Sequence, residues 1–295
     1  MNSSERAAPP SPTWRSMALF ATVGALASAP AAAFTWSDTS IHYAYGNDFR
    51  EPGVTDASGR AAQIAKQIVS LTHSDGYAYG TNFFNVDMLM SNKADPANNG
   101  STGATEFYAT YRHQLSLNAV TGSNLFTRGP LRDVSIAAGF DLNTKNTAFA
   151  PEKRMFVVGP TLQFDVPGFW NVSLLFRTER NYNGIVGQSV HFSNTAMMET
   201  AWSIPFHLGG TPLHFEGFAN VVAPKGQDGF GAQTRTEILL HPKVMLDVGH
   251  WLNLKARTLE AGVGWEYWYN KFGSDHHRVP GAIQSTAFVE AAVHF

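Results

Sequence analysis

The 295-residue chain has no cysteine, which excludes disulfides, thiolate metal centres and thiol nucleophiles. Charge is also scarce: Asp, Glu, Lys and Arg make up 15% of residues, against roughly 25% in a soluble domain. No sign dominates, since the net charge is -2, and the basic footprint of a nucleic-acid binder is therefore missing. Long apolar runs are missing too, apart from one near the start. A mean hydropathy of -0.16 and the absence of repeated stretches of about 20 apolar residues exclude a bundle of membrane helices. What is present in quantity is aromatic side chains, 13% of the chain, with 26 glycines and 15 prolines.

Arg6 and Arg15 precede the small, apolar stretch from Met17 to Ala29, and Ala31-Ala32-Ala33 follows. That order resembles a secretory signal peptide, residues 1–33, cut before Phe34. The expected mature chain is residues 34–295, exported from the cytoplasm.

Apolar and polar residues alternate along much of this mature chain, in segments of about 10 to 14 residues separated by Gly, Pro, Asn and Asp. At the C-terminus, Ala287, Val289, Ala291, Val293 and Phe295 share one face, while Thr286, Phe288, Glu290, Ala292 and His294 share the other. Leu259 to Tyr269 and Trp170 to Glu179 repeat the split. Soluble strands average about 5 or 6 residues, whereas a tilted transmembrane strand needs about 9 to 11. The pattern predicts an all-β fold: a transmembrane antiparallel β-barrel of about 12 strands. The expected strands are 35–46, 62–74, 81–91, 104–115, 131–142, 153–165, 169–181, 194–206, 212–223, 231–241, 256–269 and 284–295. The second has the weakest alternation. Links after even-numbered strands should be short, as at Pro167-Gly168; Ser116 to Pro130 and Pro242 to Lys255 break that rule and are expected to hold a short helix or a bend. Tyr43, Tyr45, Trp170, Trp202, Trp265, Tyr267 and Tyr269 suit interfacial girdles.

Alternation also assigns an inner wall. Phe83, Asn85 and Asp87 share a face, and on the next strand so do Glu106, Tyr108 and Arg112. Later strands add Arg177, Glu199, Arg235 with Glu237, and Glu260. Both signs occur, so a simple charge-selecting ring is not expected; a neutral, amphiphilic solute fits better. Pairing of Glu106 with Arg112 and stacking on Phe83 and Tyr108 are the anticipated interactions. The sequence suggests no metal and no cofactor: Asp275-His276-His277 stands without further ligands at a recognisable spacing. A barrel lipase would need a serine beside an outward His113, and none stands out, so no enzymatic activity is expected. A structural or phage-binding receptor barrel is the other alternative.

The ending Ala291-Ala292-Val293-His294-Phe295 looks like the final strand of bacterial outer-membrane proteins, which the barrel-assembly machinery reads. LTHSDGYAYGTNFFNVDMLMS (Leu71 to Ser91), Thr105-Glu106-Phe107-Tyr108, and GPTLQFDVPGFWNVSLLFR (Gly159 to Arg177) resemble the equivalent stretches of the Tsx-type nucleoside-specific channel family. The resemblance implies a narrow, monomeric twelve-stranded channel in the outer membrane of a Gram-negative bacterium. It also implies outer-membrane lipid as surroundings, and nucleosides or similar small neutral solutes as cargo, with no nucleic acid.

Overall fold

A computed structural model describes residues 34–295; the expected signal peptide lies outside the described residues. The strands are β1 (Trp36–Phe49), β2 (Ile64–Tyr77), β3 (Gly80–Ser91), β4 (Thr105–Ser116), β5 (Leu131–Lys145), β6 (Arg154–Phe164), β7 (Phe169–Asn183), β8 (Gln188–His191), β9 (Thr195–Leu208), β10 (Thr211–Val222), β11 (Glu237–Asp247), β12 (Leu259–Tyr269) and β13 (Ile283–His294). Each pairs antiparallel with its sequence neighbour, except that β8 pairs only with the end of β7, while β9 joins β7 directly. Pairing of β1 with β13 closes the ring. The result is a closed barrel of twelve strands with β8 as a short ribbon above its wall. Closure leaves no sheet edge, so the backbone groups of the wall bond to one another.

Period-two alternation decides which side chains enter the barrel. Along β13, Gln284, Thr286, Phe288, Glu290 and Ala292 are buried, while Ile283, Val289 and Val293 are exposed. The exterior is apolar around the ring: Val263 and Leu174 are each 62% exposed, and Phe156 is 59% exposed. Such a surface is matched to hydrocarbon and not to water. Tyr43, Tyr45, Trp170 and Trp265 stand on the same outer face.

The weakly alternating second segment, expected at 62–74, falls in β2, which runs on to Tyr77. Its inward Ile64 is fully buried opposite Phe49, which explains apolar residues on both faces of that strand. The two irregular links near the chain termini hold helices: α1 (Leu117–Thr121), where Ser116 accepts from the Ala119 N–H, and a 3-10 turn (Val248–Leu252) capped by Asp247. The tenth expected strand, 231–241, is corrected to Glu237–Asp247. Pro242, read as the end of a strand, lies inside β11 where the β11–β12 register is interrupted between Leu240 and Lys243. Proline lacks an N–H for the ladder and is tolerated at such a break.

Candidate functional site: the barrel interior

Register places ten of the eleven expected wall residues on the inner face. Phe83, Asn85 and Asp87 (β3) pair with inward residues of β2, and Glu106, Tyr108 and Arg112 (β4) with inward residues of β5. Arg177, Glu199, Glu237 and Glu260 also point inward, from β7, β9, β11 and β12. Arg235 does not. With β11 starting two residues later, it sits in the preceding link, exposed, and pairs with Asp275 of another link at 3.1 Å. Asp275 accepts from the His277 backbone N–H, which, with Arg235, holds its carboxyl below the ordinary range against the opposing effect of desolvation.

Arg112 crosses the lumen. Its Nε and Nη2 donate to Glu199 at 3.0 and 2.8 Å, four strands around the ring, while Nη1 donates to Asp141 at 2.7 Å. This two-pronged guanidinium–carboxylate geometry is a strong, directional one. Gly139 permits it: a Cβ there would lie 2.1 Å from the Tyr111 carbonyl oxygen and 2.8 Å from Arg112 Cδ, so only glycine lets the arginine stem lie against the wall. The expected Glu106–Arg112 pair is therefore corrected. Glu106 instead accepts from Asn143 and stands opposite Lys145. Tyr108 donates to Asp141 at 2.7 Å and accepts from Lys153 at 2.8 Å, with the ammonium 5.1 Å from its ring centre. The ammonium occupies one side of this half-buried ring.

On the opposite half, Glu290 binds His42 at 2.7 Å and Lys243 at 2.5 Å. Phe218, His241 and Phe288 form a column with ring centres 5.0 and 4.7 Å apart. Gly264 leaves room for Phe288, whose ring would meet an added Cβ at 2.1 Å. Asn85 donates to Asp87 at 2.8 Å and accepts from Thr72 at 2.7 Å.

Along the wall, Phe83 at 39% and Phe218 at 37% exposure are inward rings open to solvent, while Trp36, inward opposite Gly76 and 50% exposed, lies at the start of β1 at the end of the lumen. β3 and β10 lie on opposite sides of the twelve-strand ring. Phe83 is the register partner of Arg112, and Phe218 that of Ala201, the next inward residue after Glu199. The two rings thus flank the Arg112–Glu199 bar from facing walls. Phe218 escaped the sequence reading although alternation with His214 and Glu216 marks its face. Its significance depends on what lies across the lumen.

The end with long links carries a cluster of buried charge. Glu51 meets Lys66 at 2.5 Å and Lys145 and Lys271 at 3.5 Å each; Lys145 also pairs with Asp95 at 2.8 Å. Beside them Glu179 takes Lys225 at 2.9 Å and contacts Arg177, and Glu237 accepts from Trp268 at 2.9 Å. On the outer wall, His113 bonds to Asn82 at 3.0 Å and contacts the Tyr77 hydroxyl at 3.4 Å, not a serine.

No protein-family model and no curated protein sequence matches this chain. Among solved structures, the translocator domain of the autotransporter NalP from Neisseria meningitidis is similar, with a TM-score of 0.40, 11% identity and 88% of each chain covered. The beta domain of the Bordetella autotransporter BrkA gives 0.38 and 7%, over 87% of this chain and 98% of that one. OpdK of Pseudomonas aeruginosa, solved with vanillate, gives 0.27 and 8%, over 88% and 98%. These likenesses bear on neither cargo nor mechanism.

Proposed function

We propose that this chain spans the outer membrane as a monomeric, non-enzymatic diffusion channel selective for nucleosides. The observation that carries this reading is the pair of open rings, Phe83 and Phe218, on facing walls beside the Arg112–Glu199 bar. A nucleoside is neutral, so a wall with both signs of charge neither repels nor traps it. Its flat base can stack on phenyl rings, at roughly 1 to 3 kcal/mol per base, while its ribose hydroxyls exchange hydrogen bonds with side chains such as Asp87 and Asn85. Contacts of that strength hold the cargo in line and still release it.

The buried, cross-linked charges of the interior favour a second reading, a filled structural or receptor barrel. Flux in proteoliposomes separates the two. Phe83→Leu and Phe218→Leu keep bulk but lose the flat face, so each should weaken uridine and adenosine saturation by about 1 kcal/mol or more, roughly fivefold. Pentose flux should change little. Equal losses for all three solutes would reduce the rings to pore shaping, and no flux at all would favour the filled barrel.

A further inference from the structure

The end of the lumen nearest the chain termini gathers donors that the transport reading does not use. His214 and Glu216 alternate on the inner face of β10, Glu260 projects from β12, His294 ends β13, and Asp38 lies on β1. One ligand atom from each of His214, Glu216 and Glu260 lies within 4.8 Å of the others. His214 Nδ1 is 2.8 Å from Glu260 Oε1, and His294 Nε2 is 3.1 Å from Glu260 Oε2.

Neither contact is aligned as a hydrogen bond. His214 Nδ1, Glu260 Oε1 and His294 Nε2 are all buried without a hydrogen-bond partner among the described residues. The Glu260 side chain is 1% exposed and that of His294 9%. Buried polar atoms are ordinarily satisfied, and orphans on both sides of the Glu260 carboxylate point to a missing partner. An ion would need them only slightly further apart, because ligands about 2.1 Å from a tetrahedral metal are about 3.4 Å from one another. The outer ring of contacts fits as well. Asp38 holds His294 Nδ1 at 2.9 Å, and a carboxylate on the far nitrogen is how metal-binding imidazoles are oriented.

Charge argues the same way. Asp38, Glu216 and Glu260 face one permanent cation, Arg257, which bonds Glu216 and Glu260 at 3.1 Å each. With neutral imidazoles, three negative charges against one positive leave an excess of two. Asp247, the register partner of Glu260, adds another carboxylate, and the adjoining Glu290–Lys243 pair adds none.

We propose that His214, Glu216 and Glu260, with His294 as a further imidazole, bind a divalent transition-metal ion of the zinc type. Mixed imidazole and carboxylate donors suit that class better than magnesium or calcium, which take oxygen alone. The site is independent of what the lumen carries.

The test is calorimetric titration of Zn2+ into the full chain, folded in detergent and stripped with a chelator, with Co2+ absorption as a second readout. Saturable binding of one ion per chain is expected. Asp38→Asn leaves the ligands in place and should weaken it about 10- to 100-fold; His214→Gln and His294→Gln should weaken it further. The pair His276→Gln and His277→Gln, in a distant link, should leave it unchanged. Heat-modifiable migration shows that each variant has folded, and Asp38→Asn, whose side chain is 45% exposed, is decisive if a ligand variant fails to fold. Absence of saturable binding would overturn the proposal in favour of protonated histidines. So would affinity unchanged by Asp38→Asn, or lost with His276 and His277.

Discussion

Glu51→Gln should destabilise the barrel by about 3 to 5 kcal/mol, the usual cost of removing one partner from a buried charge cluster. Lys66, Lys145 and Lys271 are all buried around this carboxylate, and the amide would leave three ammonium groups of which Lys145 alone keeps an ion pair, with Asp95. The penalty comes from stranding cations away from water, since an intact pair of this kind contributes little net stability. The pH dependence has a definite sign. Burial alone would raise the Glu51 carboxyl, but Lys271, Lys66 and Lys145 outweigh it and hold the group well below the ordinary carboxylate range. A depressed folded value means that the stabilisation is complete above the unfolded carboxyl's pKa. It is lost only as pH falls through the lower folded value. Urea unfolding in lipid vesicles should therefore show a wild-type Glu51 contribution that survives mild acid. Glu51→Gln should lack it already at neutral pH, and a variant as stable as wild type would place the cluster in water.

Val263→Arg should cost roughly 2 to 4 kcal/mol, because it puts a guanidinium in hydrocarbon near the middle of a spanning strand. Val263 is 62% exposed on the outer face, beside Val244 and Val289. Ser203→Arg, on the inner wall, should cost less, since its register partner Glu216 offers a counter-charge. Ala292, although inward, is no equivalent control: at 1% exposure it has no room for a long side chain. Folding free energies in vesicles check the ranking. A larger loss at Ser203 than at Val263 would mean that the apolar face does not meet lipid.

The Val263 argument rests on a facing assignment that alternation made readable. Val263 and Val289 fall outward, and Phe83, Asp87, Glu106 and Arg112 fall inward, as the period of two requires. Strand identity was harder where alternation lapsed. Ile238-Leu239-Leu240 is apolar on both faces, and Pro242 resembles a terminator, which shifted one expected strand and carried Arg235 into the wall. Period two also says which side a residue takes, but not whom it meets. Arg112 finds Glu199, 87 residues away, instead of Glu106 on its own strand. Phe218 gains its role only because β10 closes opposite β3. The same holds for His214, Glu260 and His294, which no spacing along the chain unites, whereas the conspicuous Asp275-His276-His277 ends in an exposed link with His276 bonded to Asn270.

Single-molecule current across a planar bilayer tests nucleoside passage most directly. A lumen flanked by Phe83 and Phe218 should conduct small ions, and added uridine should interrupt that current in a saturable, concentration-dependent way while ribose at the same concentration does not. Equal interruption by both solutes, or a barrel that carries no current, would contradict it.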